Sequence, residues 1–468
     1  MVKRKYYFLA LLFLINFCVA IFSFQTFIVE DAAIHAEIAS VIINNNYIAD
    51  TYMPVTDILI TYPPFFHYLS IIISFVLPLI TSVRLLGAIS YAFLPVAVYF
   101  ASSVFTKKPL MPAAFSVVIV NLTYILAFAA FPQLMAFNFL LLFIYFFFRK
   151  KHWLAGLFAG LTIITHSFTG LFAFSLLFII GVLYNKKAWK TVALGLGISL
   201  LWIKRYFVML SGAVSNTWNN SHWVEVQGNH FETLRALWQF FGVRLNIVIF
   251  VLFLAGLFIF FRNKKRFSVK DKIFMLYFSL TPLVFTIYHL APTQYKFLDL
   301  LSLPVLVFSG LFLSQQSFFS TKKHWFKFLL AVFLIISLMM PVMKIKEFQE
   351  SFSAFDDNYY PAALWLKDNR HDNSRILLQD ESSIEKDFRG FSSELVFSMI
   401  SEKYPLDGTI SDLEVFSQDY KEQLEDRKEL VNGNYPSMEK YRVKYIVGNN
   451  CPGEIIYSDD FTKICELS

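Results

Sequence analysis

Long apolar runs separated by short charged connectors fill the first three quarters of the chain. They cover 6–28, 84–105, 110–130, 133–148, 153–166, 168–184, 191–210, 244–261, 273–290, 297–314 and 324–343. A helix needs about 20 apolar residues to cross a bilayer core about 30 Å thick. The runs cluster around that length, which predicts membrane-crossing helices. One further apolar stretch, 65–80, is short and follows two prolines, Pro63 and Pro64. It either crosses the membrane or lies along its surface. The first run, led by Lys3-Arg4-Lys5 and continuing to Val29, is too long for the apolar segment of a signal peptide. No small-residue cleavage site follows it, so it is expected to stay as an anchor.

Beyond residue 343 the pattern changes. Residues 359–368 carry apolar positions at helical spacing, while Arg375–Leu378 and Lys444–Val447 read as short buried strands, the second ended by Gly448-Asn449-Asn450. Two domains are expected: a transmembrane domain, 1–343, whose long loop 29–83 carries interfacial helices, and a small α/β domain, 344–468. No internal repeat or low-complexity linker separates them.

Composition agrees. Hydrophobic residues make up 56% and charged residues 16%, with 55 phenylalanines and a mean hydropathy of +0.54. Soluble domains are about 25% charged, so a wholly soluble protein is excluded. The net charge of +7 is unevenly spread. Residues 344–468 hold 15 Lys+Arg and 25 Asp+Glu, a net of −10; residues 1–343 hold 26 and 9, a net of +17. The basic excess thus belongs to membrane connectors, and no nucleic-acid-binding motif accompanies it.

Charge also decides the threading. With eleven crossings and a cytoplasmic N-terminus, the inner connectors hold 20 basic residues against one acid, Asp271. Segment 29–83 then faces outward with five acids and no Lys or Arg. A twelfth crossing at 65–80 would turn the later basic connectors outward, against the positive-inside rule. The expected fold is therefore a polytopic α-helical membrane protein of about eleven transmembrane helices, multi-pass in the cell membrane, with an extracytoplasmic C-terminal domain. Of the three cysteines, Cys451 and Cys465 lie in that domain, where a disulfide between them is chemically allowed.

Within the expected spans the midplanes lack ionisable residues; Asn16, Asn121, Asn138 and Asn246 are the polar exceptions. Ionisable groups gather instead at the outer helix ends: Arg84, His166, Lys204, Arg205, Arg244, His289, Lys296 and Asp299. Asp31 and His35, four apart, share one face of a helix. A carboxylate beside an imidazole can take a proton or hold a cation; a helix cap with a solvated His35 satisfies the same spacing. Glu30 adds negative charge. Tyr62 and His67 flank the Pro63-Pro64 turn, and His166 sits at a turn between two short spans. Lys204, Arg205 and Lys296, beside Tyr295, are cations able to bind phosphate or to snorkel toward headgroups. His222, between Trp218 and Trp223, lies in an outer loop whose aromatic rings suit a sugar or the membrane interface.

These residues resemble the GT-C superfamily of integral membrane glycosyltransferases, especially archaeal and bacterial members related to protein mannosyltransferases. Glu30-Asp31 after the first span, His35 one turn on, Tyr62-Pro63-Pro64, the interfacial helix before Arg84 and Ala155–Leu161 running into Thr165-His166 carry the likeness. Tyr295-Lys296-Phe297 ahead of Pro304, and the Tyr441–Val447 strand, add to it. The resemblance implies transfer of a sugar from a polyprenyl-phosphate donor to a protein, glycan or lipid acceptor at the outer face of the lipid bilayer. Asp31 would be the catalytic or metal-binding carboxylate, and Lys296, with Lys204 or Arg205, would hold the carrier phosphate. Many members carry a second acid where this chain reads Phe131-Pro132-Gln133. No metal ligands are therefore assigned, and a divalent cation is left open. No Trp-Trp-Asp signature points to en bloc N-glycan transfer. Three other functions remain: a transporter or flippase for a lipid-linked substrate, a non-catalytic membrane scaffold, and an acyl- or phosphotransferase, whose reactions a carboxylate–His pair also serves.

Overall fold

The structure, a computed structural model, describes residues 2–27, 29–44, 46, 63–123, 131–202, 247–263, 267–287, 294–315, 360–370, 375–378, 404–405, 443–448, 453–459 and 462–467. The helical domain begins with α1 (Val2–Phe27), α2 (Val29–Asn44), α3 (Phe65–Ser74), α4 (Leu79–Ser102), α5 (Leu110–Thr123) and α6 (Phe131–Phe148). It continues with α7 (His152–Ile163), α8 (Ser167–Leu183), α9 (Trp189–Ser199), α10 (Ile247–Arg262), α11 (Val269–Ile287) and α12 (Gln294–Gln315). Ten of the eleven expected runs contain one of these helices; the run 324–343 lies outside the described residues.

Segment 65–80 is not one continuous helix. At ten residues, α3 rises about 15 Å, half the thickness of the apolar core. It gives way to a turn that ends at Pro78, whose φ of −52° and ψ of 143° are not helical. Helix α4 then starts at Leu79, five residues before the expected span. Arg84 therefore sits in the second turn of α4 and not at the mouth of a helix that begins there, a correction to the sequence boundary. The cause is local: Pro78 sets the start of α4.

The packing gives the helical domain a basic end and an opposite end. At the first lie the connectors after α4, α6, α8 and α10. Phe105 packs its ring against Phe148, Phe260, Phe267 and Phe308, with centroids 5.5, 5.6, 5.7 and 6.0 Å away. Phe147 meets Tyr184 at 4.9 Å and Phe274 at 5.3 Å. Tyr184 donates to Asp271 at 2.9 Å, and Lys272 donates to the Phe261 carbonyl at 2.7 Å. The basic residues 107–108, 149–151, 186–190 and 270–272 thus share one end. At the other end Ile38, Val41 and Ile42 of α2, Ile71 of α3, Ile164 and Trp202 form a separate buried cluster.

Small residues and amides join the helices between these ends. A side chain at Gly256 would collide with the Phe308 carbonyl, so α10 and α12 touch backbone to backbone. Asn16 of α1, Tyr91 of α4 and Asn121 of α5 form one network. Tyr91 donates to Asn121 Oδ1 at 2.6 Å, and Asn121 Nδ2 donates to Asn16 Oδ1 at 3.0 Å. Asn138 Nδ2 donates to the Ser90 carbonyl at 2.6 Å. Three of the four intramembrane asparagines therefore make interhelical bonds, a recognised way of holding membrane helices together. Asn246 lies outside the described residues.

The C-terminal region is α/β, as expected. Helix α13 (Tyr360–Asn369) lies on a five-stranded mixed sheet of β1 (Arg375–Leu378), β2 (Tyr404–Pro405), β3 (Val443–Gly448), β4 (Glu454–Ser458) and β5 (Lys463–Glu466). Its strand order is β2-β1-β3-β5-β4. Strand β1 runs parallel to β2 and β3, and β5 runs antiparallel to β3 and β4. Ala362, Ala363 and Leu366 pack on Ile376, Tyr445, Val447 and Ile464. At the rim, Glu466 meets Arg370 at 3.0 Å and Lys444 at 3.2 Å. Cys465 is disulfide-bonded and Cys18 is free, while Cys451 lies outside the described residues.

Candidate active site

Two imidazoles meet at the end opposite the basic connectors. Helix α2 carries His35 and α3 carries His67; both are buried, at 2% and 0% exposure. His35 Nδ1 and His67 Nε2 lie 3.1 Å apart, with ring centroids at 5.1 Å. Phe66 packs against both rings, at 5.7 Å from His35 and 5.8 Å from His67. Phe66 in turn stacks on Phe131 at the start of α6. With only neutral imidazoles present, one nitrogen must donate and the other accept, which couples the tautomers of the two rings.

The sequence dictates this meeting locally. Pro63-Pro64 ends the preceding segment and starts α3, which presents Phe66, His67, Ser70 and Ile71 inward. The same turn is fastened to the α7–α8 turn, because Phe65 N–H donates to the Ile164 carbonyl at 3.1 Å. His166, two residues further on, is buried and forms the N-cap of α8. Its Nδ1 accepts from the Thr169 backbone N–H at 3.3 Å, with Thr169 Oγ1 at 3.1 Å. That bond needs an unprotonated Nδ1, so the neutral ring carries its proton on Nε2.

Of the residues expected from sequence, the structure brings His35 and His67 into contact and ties the His166 turn to the start of α3. Glu30 and Asp31 lie in the first turn of α2 and Tyr295 and Lys296 in the first turn of α12, but their side chains lie outside the described residues. Tyr62, Lys204, Arg205 and His222 lie outside them altogether.

Sequence reasoning missed the His35–His67 pairing, since 32 residues separate them and nothing in either segment names the other. It also missed Gln133 and Asp299 as fully buried polar groups. Gln133 lies in the first turn of α6 and Asp299 one turn after Lys296. An acid inside an otherwise apolar run was the available signal for Asp299.

Comparison with known proteins gives one kind of result. No family model matches the chain, and no curated protein matches it. Among solved structures, the fold is similar to the crystal structure of ArnT from Cupriavidus metallidurans bound to undecaprenyl phosphate. The TM-score is 0.57 at 12% sequence identity, and the match covers 99% of this chain and 98% of that one. At that identity the likeness shows the fold alone, which this chain shares with that protein along almost its whole length.

Proposed function

We propose that the protein is a membrane glycosyltransferase that moves a sugar from a polyprenyl-phosphate carrier to an acceptor at the outer face of the membrane. The observation that carries this reading is the end-to-end fold likeness to a protein that binds undecaprenyl phosphate. Two features support it. The histidine pair and the His166 turn gather at one end of the helical domain, and the basic connectors gather at the other. By the positive-inside rule the connectors face the cytoplasm, which turns the histidines outward.

In this scheme Asp31 takes the proton of the acceptor hydroxyl as its oxygen attacks the anomeric carbon. The bond from that carbon to the phosphate oxygen breaks, and the lipid phosphate leaves with the electron pair. Lys296, together with Lys204, Arg205 or His166, neutralises the departing phosphate; Tyr62, Tyr295 and His222 contact the donor. A positioned base contributes about 10²–10⁴-fold, and fixed cations facing the developing charge add electrostatic stabilisation. Asp31→Asn is expected to insert normally into the membrane and to lose transfer from a polyprenyl-phosphate sugar in proteoliposomes. Mass spectrometry of surface glycans with and without the gene identifies the product. Transfer at the wild-type rate in Asp31→Asn removes Asp31 from the mechanism.

A further inference from the structure

No Asp or Glu occurs between Asp57 and Glu225. Six cations of that stretch, Arg149, Lys150, Lys151, Lys186, Lys187 and Lys190, stand exposed at two turns of the basic end. Hydrogen bonds fix both turns. Between α6 and α7 the Lys151 N–H donates to the Phe146 carbonyl and the Lys150 N–H to the Phe147 carbonyl, each at 2.9 Å. That pattern closes α6 with Lys150 in left-handed backbone, at a φ of 59°, a place that glycine usually fills. Between α8 and α9 Asn185 accepts from the Lys187 and Ala188 N–H groups, at 3.2 and 2.9 Å. The two turns are joined. Thr191 Oγ1 donates to the His152 carbonyl at 3.1 Å, and Lys190 Nζ lies 5.8 Å from the centre of the Trp153 ring. Among the described residues no carboxylate pairs with any of the six. Asp271, which reaches this end from α11, already accepts from Tyr184 and Ser268.

Trp153 and Trp189 flank the cations and are more than half exposed, at 57% and 53%. Exposed tryptophans at helix starts mark the level of lipid headgroups. The Trp189 ring comes within 3.9 Å of where a Cβ would stand at Gly181, beside the exposed Phe178 and Val182 of α8. Apolar surface thus continues from the cations along α8. We propose that these turns form a site for one anionic phospholipid. Lys186, Lys187 and Lys190 hold its phosphate, the two indoles border the headgroup, and an acyl chain lies along Phe178 and Val182. Charge complementarity selects this occupant, because six cations without a carboxylate partner among the described residues favour an anionic headgroup over a zwitterionic one. The inference rests on the helices lying in a bilayer. It needs no sugar transfer, since the site lies at the end opposite the histidines.

The full-length protein, purified in detergent and delipidated, is titrated with dioleoyl phosphatidylglycerol or dioleoyl phosphatidylcholine, and its lipid adducts are counted by native mass spectrometry. One phosphatidylglycerol per chain is expected, bound at least about tenfold more tightly than phosphatidylcholine, with salt narrowing the difference. Lys186→Gln/Lys187→Gln/Lys190→Gln should remove that preference, since each lysine near an anionic surface contributes about fivefold. The corresponding triple arginine variant should keep it. Lys107→Gln/Lys108→Gln/Lys270→Gln removes equal charge from the same end and should leave the preference intact. If the first variant is not monodisperse, Lys190→Gln alone, expected to lose about fivefold, replaces it. Equal binding of the two lipids, or an unchanged preference in the first variant, overturns the proposal. An equal loss in the second set also overturns it, by showing a diffuse surface charge. So does lysine-dependent binding of undecaprenyl phosphate in place of phosphatidylglycerol. Binding of neither lipid overturns the bilayer reading with it. Phosphatidylglycerol selectivity in a protein that transfers no sugar sustains the site while refuting the glycosyltransferase reading; transfer without selectivity does the reverse.

Discussion

Gly87→Ala tests whether the packing beneath the histidine pair is as tight as the structure shows. A methyl group at Gly87 would lie 2.5, 2.6 and 2.8 Å from Cδ1, Cγ and Cε1 of Phe131, where ordinary contact begins at 3.4 Å. The ring must therefore recede by about 0.6–0.9 Å. It has little room to do so, because Phe131 is fully buried and stacks on Phe66, which is fully buried and touches both histidines. Overpacking of this kind costs about 1–3 kcal/mol. A displacement approaching 1 Å in a catalytic constellation costs on the order of 10²-fold in rate.

The assay is thermal unfolding in detergent together with the initial rate of transfer, with Gly197→Ala as the control. No atom lies within 4 Å of a Cβ at Gly197, and alanine is favoured over glycine in a helix by about 1 kcal/mol. The control should therefore equal or exceed wild type in stability and match it in rate. Gly87→Ala indistinguishable from that control in both measurements would refute the chain of contacts from α4 through Phe131 and Phe66 to the histidines.

Gly256→Ala should be more disruptive still, since its methyl group meets the rigid Phe308 backbone carbonyl and not a ring that can turn; failure to purify as a monodisperse protein, or a Tm lowered beyond that of Gly87→Ala, is the expected result. Asn121→Leu removes the amide that joins Tyr91 to Asn16 and should cost about 0.6–1.7 kcal/mol, read by unfolding in mixed detergent. Tyr457 is pushed up to about 12 by burial and by its hydrogen bond and proximity to the Asp459 carboxylate. Because the folded value lies above the unfolded one, its contribution to stability holds below about pH 10 and disappears as pH rises toward about 12. The ultraviolet titration difference between wild type and Tyr457→Phe should accordingly show one phenol ionising late. Under denaturing, non-reducing conditions, alkylation followed by peptide mapping should label Cys18 and leave Cys465 unlabelled.

Much of this architecture was legible in the chain because its signals are local. Apolar length marked the helices. The two strands expected in the C-terminal region appear as β1 and β3, and the expected helix appears as α13, shifted by one residue. Strands β2, β4 and β5 were not anticipated: they are two to five residues long, and β4 is largely exposed, so neither apolar runs nor clean alternation marked them. The start of α4 was placed too late because Leu79 and Ile80 read as the tail of the preceding apolar stretch, although Pro78 marked the boundary.

The sequence by itself determined where the long apolar helices lie and which of their connectors carry positive charge. Those are consequences of solvation, and each residue reports its own. Only the tertiary structure decided that His35 meets His67, that Phe65 fastens α3 to the His166 turn, and that Asn16, Tyr91 and Asn121 form one network. Such pairings depend on helix packing, where close approach at a glycine or the turn after a proline sets which distant side chains share a few ångströms, and no local pattern encodes that partner.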